Sequence, residues 1–319
     1  DAQHADLQVL AAVLDHEVAD DARSTSTLAA ELDMLQPLWI TLAQGEIRCR
    51  CDLVHAEALR RAGRPADAGE AVDRALDAAR GAGLRRWECK ARVLSADLLR
   101  LQGRLAKAGR MLEDAWAIAR SLDDESLLRS VLQVRLPLEI ARGDEQQARL
   151  DLDKLRGLLR ARASWADLQT LWMFRGEVER LSGAANAARH AYDTALVLGR
   201  KRRLANAPVL LRLASLHLTE SDIASARACM DEAGRLGEQG PRSHEIRASE
   251  AVLNAEVALR GGDPAGAAAP LQDAEILLAQ SPLAAPFLLH SLQRSAANAT
   301  GTTKQRVEAL AASMGDQLR

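Results

Sequence analysis

The sequence predicts an all-α protein, built as a solenoid of repeated helix hairpins. Two observations lead to this fold class: a composition that favours helices, and a set of turn residues that recurs along most of the chain. Aromatic residues make up only 3% of the 319 residues. Alanine, leucine and arginine, which have high helix propensities, dominate instead, whereas sheets favour β-branched and aromatic residues. We therefore expect helices and no sheet.

The recurring feature is a short turn segment that starts with glycine, or once with serine, and in most copies has alanine five residues later. The first four copies lie 40 residues apart, and the later steps are 38, 41 and 39. The first residues of these segments, called anchors below, are Gly63, Gly103, Gly143, Gly183, Ser221, Gly262 and Gly301. A glycine ends a helix in a tight turn, and a small alanine lets the next helix approach closely. Each anchor therefore marks one helix hairpin.

Small and large residues alternate around each anchor. Small residues recur seven positions before it, as at Ala96, and twelve positions after it, as at Ala115, while a large residue such as Leu112 stands nine positions after it. This order resembles the tetratricopeptide repeat over residues 39–300. Two features depart from that family: its early Trp and late Pro are mostly missing, and the period is 40 rather than about 34.

Repeats of this length and composition, such as Gly103 to Arg120, also resemble the superhelical sensor region of MalT-like regulators that carry an ATPase module. The resemblance implies a right-handed α-α superhelix of about seven to eight hairpins that binds a partner. It also implies a setting in bacterial signalling and transcription regulation.

The domain boundaries follow from the anchors. We expect a degenerate helical hairpin over residues 1–38, as a cap or a continuation from an upstream domain, repeats over 39–300, and a capping helix over 301–319. The predicted hairpins are 44–62 with 65–81, 85–102 with 105–121, 125–142 with 145–162, 165–182 with 185–200, 204–219 with 223–238, 242–260 with 264–280, and 283–299 with 302–317. Pro65 and Pro264 are expected just inside helix starts, whereas Pro137 should kink its helix and Pro208 fits its helix poorly.

The first helix of each hairpin should line the concave surface, with positions thirteen, six and three residues before the anchor on one stripe. In the first two hairpins this stripe carries a ladder of alternating charges, and similar residues follow further along. The predicted partner-binding residues are Arg50, Glu57, Arg60, Lys90, Asp97, Arg100, Glu177, Arg180 and Glu256. The alternative is that pairs such as Glu57 with Arg60 only stabilise exposed helices, by a few tenths of a kcal/mol each.

Other candidate sites are weaker. The basic run from Arg200 to Arg203 is expected in a solvated loop, and the formal net charge of −2 does not favour nucleic acid or anionic membranes. Cys49 and Cys51, two apart on a helix, point in different directions and make a poor metal pair. The tryptophans within the repeats, Trp87, Trp116, Trp165 and Trp172, are expected in the core.

The motifs of phosphate-binding loops, zinc proteases and serine hydrolases are missing from the sequence, so we expect neither an enzyme nor a cofactor. Four irregularly spaced cysteines and the lack of an apolar stretch long enough to cross a bilayer favour a cytoplasmic location. We expect a sensor or regulatory segment that binds a protein, a peptide or a small effector, without direct nucleic-acid or membrane contact. The alternative is a stand-alone scaffold that docks a peptide or helix.

Overall fold

The computed structural model describes residues 25–42, 45–159, 163–202, 206–237, 242–283 and 285–318. Within these ranges every regular element is a helix. The fifteen helices are α1 (Thr25–Leu42), α2 (Gly45–Arg61), α3 (Pro65–Gly81), α4 (Arg85–Leu101), α5 (Leu105–Ser121), α6 (Glu125–Arg142), α7 (Glu145–Leu159), α8 (Trp165–Leu181), α9 (Ala185–Arg202), α10 (Ala207–Thr219), α11 (Ile223–Gly237), α12 (His244–Arg260), α13 (Ala268–Gln280), α14 (Pro286–Asn298) and α15 (Gly301–Gln317).

From α2 onward the described helices form seven successive hairpins, and the predicted all-α solenoid is confirmed. The predicted bounds of α3, α5 and α6 agree with the observed ones residue for residue. The helix α1 precedes the first hairpin, and the remainder of the predicted N-terminal hairpin, residues 1–24, lies outside the described residues. The predicted capping helix over 301–319 corresponds to α15.

All seven anchors have a left-handed backbone conformation. Their φ angles lie between 55° and 80°, and the only anchor that is not glycine, Ser221, has a φ of 65°. This conformation costs glycine little, because glycine has no Cβ atom to collide with the backbone. The first six anchors therefore lie in tight turns of similar geometry, as the sequence predicts, whereas Gly301 is the first residue of α15 and follows the extended Thr300.

Two of the proline predictions need correction. Pro264 does not start a helix: Asp263 Oδ1 accepts a hydrogen bond of 2.8 Å from the Gly266 backbone N–H, and this side-chain turn delays α13 until Ala268. Pro208 fits well, because α10 starts at Ala207 and leaves the proline in the first turn, where its missing N–H removes no helical bond. Pro65 starts α3 as predicted, and Pro137 lies inside α6, which continues as a helix to Arg142.

The helices divide into two compact units. The first unit contains α1 to α5 and the part of α6 up to Val134. The second unit contains α6 from Arg135 and the later helices. Two short pieces are exchanged: the turn Leu101–Leu105 belongs to the second unit, and His244 belongs to the first. In the first unit the small residues around the anchors, such as Ala56 and Ala75, are fully or almost fully buried against large ones such as Val72. The same pattern recurs in the second unit around Tyr192 and Leu271. No described helix is long and apolar enough to cross a membrane.

Within the first two hairpins an ion-pair triad joins the two helices, and its charges are inverted from one hairpin to the next. In the first hairpin the buried Asp52 lies between Arg48, at 2.8 Å, and Arg74, at 3.2 Å. Forty residues further along, Arg92 lies between Glu88, at 3.0 Å, and Asp114, at 2.6 Å. The three residues occupy equivalent positions in both hairpins, but each acidic residue of one triad is replaced by a basic residue in the other, and the reverse. These residues therefore hold the two helices of a hairpin together and do not recognise a particular charge.

The anchor turns can be tested with two glycines of one hairpin. At Gly143, where φ is 73° and a Cβ atom would meet no neighbour, alanine should lower the free energy of unfolding by about 1 kcal/mol through backbone strain alone. At Gly157, inside α7 and also without close neighbours, alanine should raise it by about 0.5–1 kcal/mol. Urea denaturation measures both, and equal effects of the two substitutions would contradict the turn assignment.

Candidate functional site

An open groove of about 910 Å³ crosses the first helices α2, α4 and α6 of the first unit. Its lining repeats with the period of the sequence. Thirteen residues before successive anchors stand Arg50, Lys90 and Ser130, and ten residues before them stand Leu53, Val93 and Gln133. Nine residues before them stand Val54, Leu94 and Val134. The groove is therefore a row of equivalent positions, presented by three successive hairpins.

The charges of the groove are mixed but unequal. Five basic side chains line it against three acidic ones, but Arg86 pairs with Asp124 beside the lining, which leaves a formal surplus of one positive charge. The basic residues are Arg50, Arg60, Arg61, Arg86 and Lys90, and the acidic residues are Glu46, Glu57 and Asp97. A surface with such a surplus favours a ligand that carries negative charge.

Four of the predicted residues form a continuous chain of ion pairs beside the groove. Arg60 Nη2 lies 2.8 Å from Glu57 Oε1, and Arg60 Nε lies 3.9 Å from Asp97 Oδ2 on the next hairpin. Arg100 Nη2 in turn lies 2.7 Å from Asp97 Oδ1. The contact between Arg60 and Asp97 joins α2 to α4, so the chain connects neighbouring hairpins as well as residues of one helix.

The arginines keep both acids of this chain ionised. Burial alone would raise the pKa of Asp97, but Arg100 and Arg60 more than offset it and hold that pKa below its usual value. For Glu57, burial is likewise outweighed by Arg60 and Arg61, and its pKa is lowered. Both carboxylates are therefore charged at neutral pH.

These side chains are less exposed than the sequence analysis expected. The side chains of Arg60, Asp97 and Arg100 are only 15%, 17% and 14% exposed, because each lies against the neighbouring hairpin. The structure brings Arg50, Glu57, Arg60, Lys90 and Asp97 together on the groove, while Arg100 pairs with Asp97 and is not among the lining residues.

Sequence reasoning missed the apolar part of the groove and misplaced a tryptophan. The side chains of Leu53, Val54 and Leu94 line the groove between the charged positions. Trp87 also lines it, with Lys90 Nζ 4.1 Å from the centre of its ring, so its prediction as a core residue is wrong. The apolar residues of the groove could have been predicted from the sequence, because apolar residues recur every 40 residues at the positions nine and ten before the anchors.

Glu177 and Arg180, two other predicted residues, lie in a buried network of the second unit. Glu177 Oε1 accepts a hydrogen bond of 2.6 Å from the Tyr192 hydroxyl, and Glu177 Oε2 accepts one of 2.9 Å from Arg180 Nη2. Burial would raise the pKa of Glu177, but Arg180 and Arg212 lower it to about 2. The Glu177 side chain is only 6% exposed, so the expectation of an exposed pair is wrong.

Glu256 is fully buried, and its carboxylate, like that of Glu177, is bound by neighbouring side chains. Arg294 donates two hydrogen bonds to its carboxylate, at 2.6 and 2.9 Å, and Ser291 Oγ donates another at 2.5 Å. Arg260 Nη1 lies 3.5 Å from the same carboxylate. A carboxylate with these partners joins α12 to α14 and is not presented on an open surface, contrary to the expectation for this residue.

The basic run is also placed differently from its prediction. Arg200 and Arg202 belong to the last turn of α9 rather than to a loop, and Arg203 lies outside the described residues. Arg200 forms a bidentate ion pair with Glu232, at 3.0 Å for its Nε. Arg202 stacks on Trp165 at 4.1 Å, and this tryptophan is exposed, so its assignment to the core is also wrong.

Burial disfavours the thiolate form of three of the four cysteines. Burial raises the pKa of the Cys89 and Cys229 thiols to about 11, and it raises that of Cys49 as well. Cys89 donates to the Ala115 carbonyl at 3.3 Å, and Cys49 donates to the equivalent Ala75 carbonyl at 3.6 Å. The described residues contain no group of three or more potential metal ligands.

Helix hairpins with repeated anchor turns and a groove across their first helices define a tetratricopeptide-like helical repeat protein. Among solved structures, the fold is similar to that of the Rap protein complexed with Competence and Sporulation Factor, with a TM-score of 0.73 at 10% identity, over 91% of this chain and 80% of that one. It is also similar to the Rap conjugation gene regulator of plasmid pLS20 in complex with the Phr* peptide, with a TM-score of 0.63 at 16% identity, over 80% of this chain and 69% of that one.

A tetratricopeptide repeat protein from Parabacteroides merdae has a TM-score of 0.53 at 13% identity, over 92% of this chain and 99% of that one. No family model and no curated protein sequence matches the chain. At these identities the similarity establishes the fold, and the tetratricopeptide-like prediction is confirmed.

The buried Glu177 network can be tested through Tyr192, the only tyrosine of the chain. Burial and the Glu177 carboxylate raise the pKa of Tyr192 well above its ordinary value of about 10. We expect the ultraviolet absorbance of tyrosinate to appear only far above that pH in the native chain. In Glu177→Gln it should appear at lower pH, because Arg180 and Arg212 then favour the phenolate, whereas Glu179→Gln should leave the titration unchanged.

The same carboxylate predicts the acid stability of the second unit. Since the folded-state pKa of Glu177, about 2, is below its unfolded value of 4.5, its contribution is complete above pH 4.5 and is lost as the pH falls toward 2. This loss should be on the order of 3 kcal/mol in the native chain and should be missing in Glu177→Gln. Urea denaturation at several pH values measures it.

The ion-pair chain beside the groove should contribute more than an exposed pair of the same spacing. Asp97→Ala leaves Arg60 and Arg100 without their shared carboxylate and should lower the free energy of unfolding by about 1–2 kcal/mol. The exposed pair of Asp153 with Arg156 has the same i,i+3 spacing, with side chains 65% and 59% exposed, and serves as the control. Asp153→Ala should cost under about 0.5 kcal/mol, and equal costs would contradict a structural role for Asp97.

Proposed function

We propose that the chain is a non-catalytic binding module whose groove across α2, α4 and α6 takes an extended segment of a partner protein. The observation that carries the proposal is the repetition of the lining, since three successive hairpins present the same positions in a row. An extended peptide offers side chains at a regular rise, so a row of equivalent positions suits it better than a single compact ligand does.

The chemistry of the groove indicates which peptide it takes. Its surplus of basic side chains favours acidic residues, and Leu53, Val54 and Leu94 favour apolar ones. The ion pairs from Glu57 to Arg100 hold the neighbouring hairpins in place and reduce the ordering cost of binding.

In a wider setting, we propose that the chain is the sensor or regulatory segment of a bacterial signalling or transcription regulator. The 40-residue repeats, similar to those of MalT-like regulators, support this setting. So do the two structurally similar Rap proteins, one of them a conjugation gene regulator, which were determined with a factor and a peptide bound. A small effector is a second candidate ligand, because about 910 Å³ also lies within the roughly 300–1,000 Å³ typical of small-molecule pockets.

A stand-alone scaffold that docks a peptide or helix is the alternative setting. The genomic reading frame that contains this chain distinguishes the two. An ATPase or helix-turn-helix segment in the same frame supports the sensor, and a frame without either supports the scaffold.

The groove is tested by selecting ligands for it. A displayed library of random twelve-residue peptides, panned on the native chain, should yield peptides rich in Asp, Glu and apolar residues. Fluorescence polarisation then measures their affinities for the double variant Arg50→Glu, Lys90→Glu. We expect binding at least ten times weaker than to the native chain, because the charge complementarity is reversed, and a smaller effect of salt on the affinity.

The control is the double variant Lys107→Glu, Arg110→Glu, which makes the same charge change at two exposed residues of α5, outside the groove. Its affinity for the selected peptides should equal that of the native chain. A similar loss of affinity in both double variants, or selected peptides without excess acidic residues, would refute the proposed groove.

A further inference from the structure

A second cluster of basic residues lies on the first helices of the second unit. Arg180 on α8 and Arg212 on α10 both approach the buried Glu177 carboxylate, at 2.9 and 3.2 Å. Arg294 on α14 holds the buried Glu256 at 2.6 Å and also reaches Thr219 at the end of α10, at 3.4 Å. Arginines of three first helices therefore surround two buried carboxylates, and Arg294 links α14 to α10.

The two carboxylates do not neutralise this region. Glu177 and Glu256 together meet four guanidinium groups, those of Arg180, Arg212, Arg260 and Arg294, which leaves a formal surplus of two positive charges. Their oxygens already accept hydrogen bonds from Tyr192, Ser291, Arg180 and Arg294. The excess charge thus remains available to a further anion.

Two buried donors of the cluster make no hydrogen bond of good geometry within the described protein. The Nε–H groups of Arg180 and Arg212 are buried and make no hydrogen bond, although Arg212 Nε is only 3.2 Å from Glu177 Oε1. Buried donors of native proteins are nearly always satisfied, and each exception requires an explanation. An anion with several acceptor oxygens would supply what both groups lack.

His290 stands at the open side of the cluster. It shares one face of α14 with Phe287 and Arg294, at spacings of three and four residues, and it is exposed. The Arg212 guanidinium lies 5.4 Å from the centre of the Phe287 ring, one helical turn away. Partial burial lowers the pKa of His290, and the positive charges of Arg180 and Arg294 lower it further.

We propose that Arg180, Arg212, His290 and Arg294, called the arginine site below, bind a phosphate group. A phosphate monoester carries about −1.5 to −2 charges at pH 7, opposite in sign to the surplus of this region, and it has three acceptor oxygens. Guanidinium forks match the geometry of such oxygens in pairs. This site lies in the second unit and does not depend on the proposed peptide groove.

Thermal unfolding of the full chain tests the arginine site. Inorganic phosphate is titrated at constant ionic strength, with chloride as the replacement, and far-UV circular dichroism records the midpoint. A ligand that binds the folded state alone raises the midpoint in a concentration-dependent way. We expect a saturable rise for the native chain, and a rise that never saturates would be an unspecific salt effect and would refute the site.

Variants at His290 separate binding from structure, because this side chain is exposed and has no hydrogen bond in the described structure. His290→Glu places a carboxylate beside Arg180 and Arg294 and should abolish the response to phosphate. His290→Gln is neutral and keeps a hydrogen-bond donor, so it should weaken the response to phosphate much less than His290→Glu does. His190→Glu, at another exposed histidine of the same unit, makes the same charge change and should respond as the native chain does. A native-like response of His290→Glu would overturn the proposal.

If His290→Glu fails to fold, a second variant still tests the site. Arg212→Gln removes one unsatisfied donor while Arg180 still pairs with Glu177, and it should weaken phosphate binding at least tenfold. Unchanged phosphate affinity in this variant would count against the site.

The source of the phosphate is distinguished by a parallel titration with O-phosphoserine. An affinity at least tenfold higher than that of inorganic phosphate supports a phosphate ester on a partner or metabolite, and an equal or lower one supports free phosphate. Both results are consistent with the site. Acetate binding as tightly as phosphate would overturn the assignment, since a single carboxylate carries one charge only.

Discussion

The left-handed turn at each anchor is the constraint on which the rest of the structure depends. In the first six hairpins it reverses the chain between the two helices within a few residues, with φ angles between 65° and 80° at the anchors. Because the turn is repeated, residues 40 apart in the first hairpins occupy equivalent places, as the matching thiol contacts of Cys49 and Cys89 show. The groove is a direct result, since it is lined by equivalent positions of α2, α4 and α6.

The charged residues of the first helices serve two purposes that look alike in the sequence. Some acids join neighbouring helices: Asp52, Glu177 and Glu256 are buried, and each is surrounded by arginines. A buried carboxylate loses its hydration, and only such partners offset that loss. Others, such as Glu57, remain partly exposed and line the groove. The difference is one of burial, which sets whether a charge is available to a partner.

The two proposed sites differ in the same physical respect. In the groove, basic and apolar side chains lie side by side along a row, an arrangement that suits an extended chain. At the arginine site, four basic residues from three helices converge around carboxylates that are already satisfied. Convergence favours a small, highly charged group, because several donors then reach the same acceptor oxygens. A repeat fold thus provides both kinds of surface by changing only the side chains of its first helices.

Local sequence determined the hairpins of this protein. Glycine at the anchors, small residues at the helix contacts and prolines in first turns act within a few residues of one another, so the bounds of helices such as α3, α5 and α6 could be predicted directly. Turns formed by side chains were less predictable, as the delayed start of α13 after Asp263 shows. The stripe that carries Arg50, Glu57, Arg60, Lys90 and Asp97 also followed from the period, because residues of one helical face share a surface.

Only the tertiary structure decided what each of those side chains meets. Arg294, 38 residues later in the chain, covers Glu256, whereas Trp87 lines the open groove. Both outcomes depend on how separate hairpins pack. No local pattern contains that information, because the same i,i+3 pair occurs at Glu57 with Arg60 and at Glu177 with Arg180, with different exposure. The proposed arginine site likewise combines residues more than a hundred positions apart in the chain, whose grouping depends on how the hairpins pack.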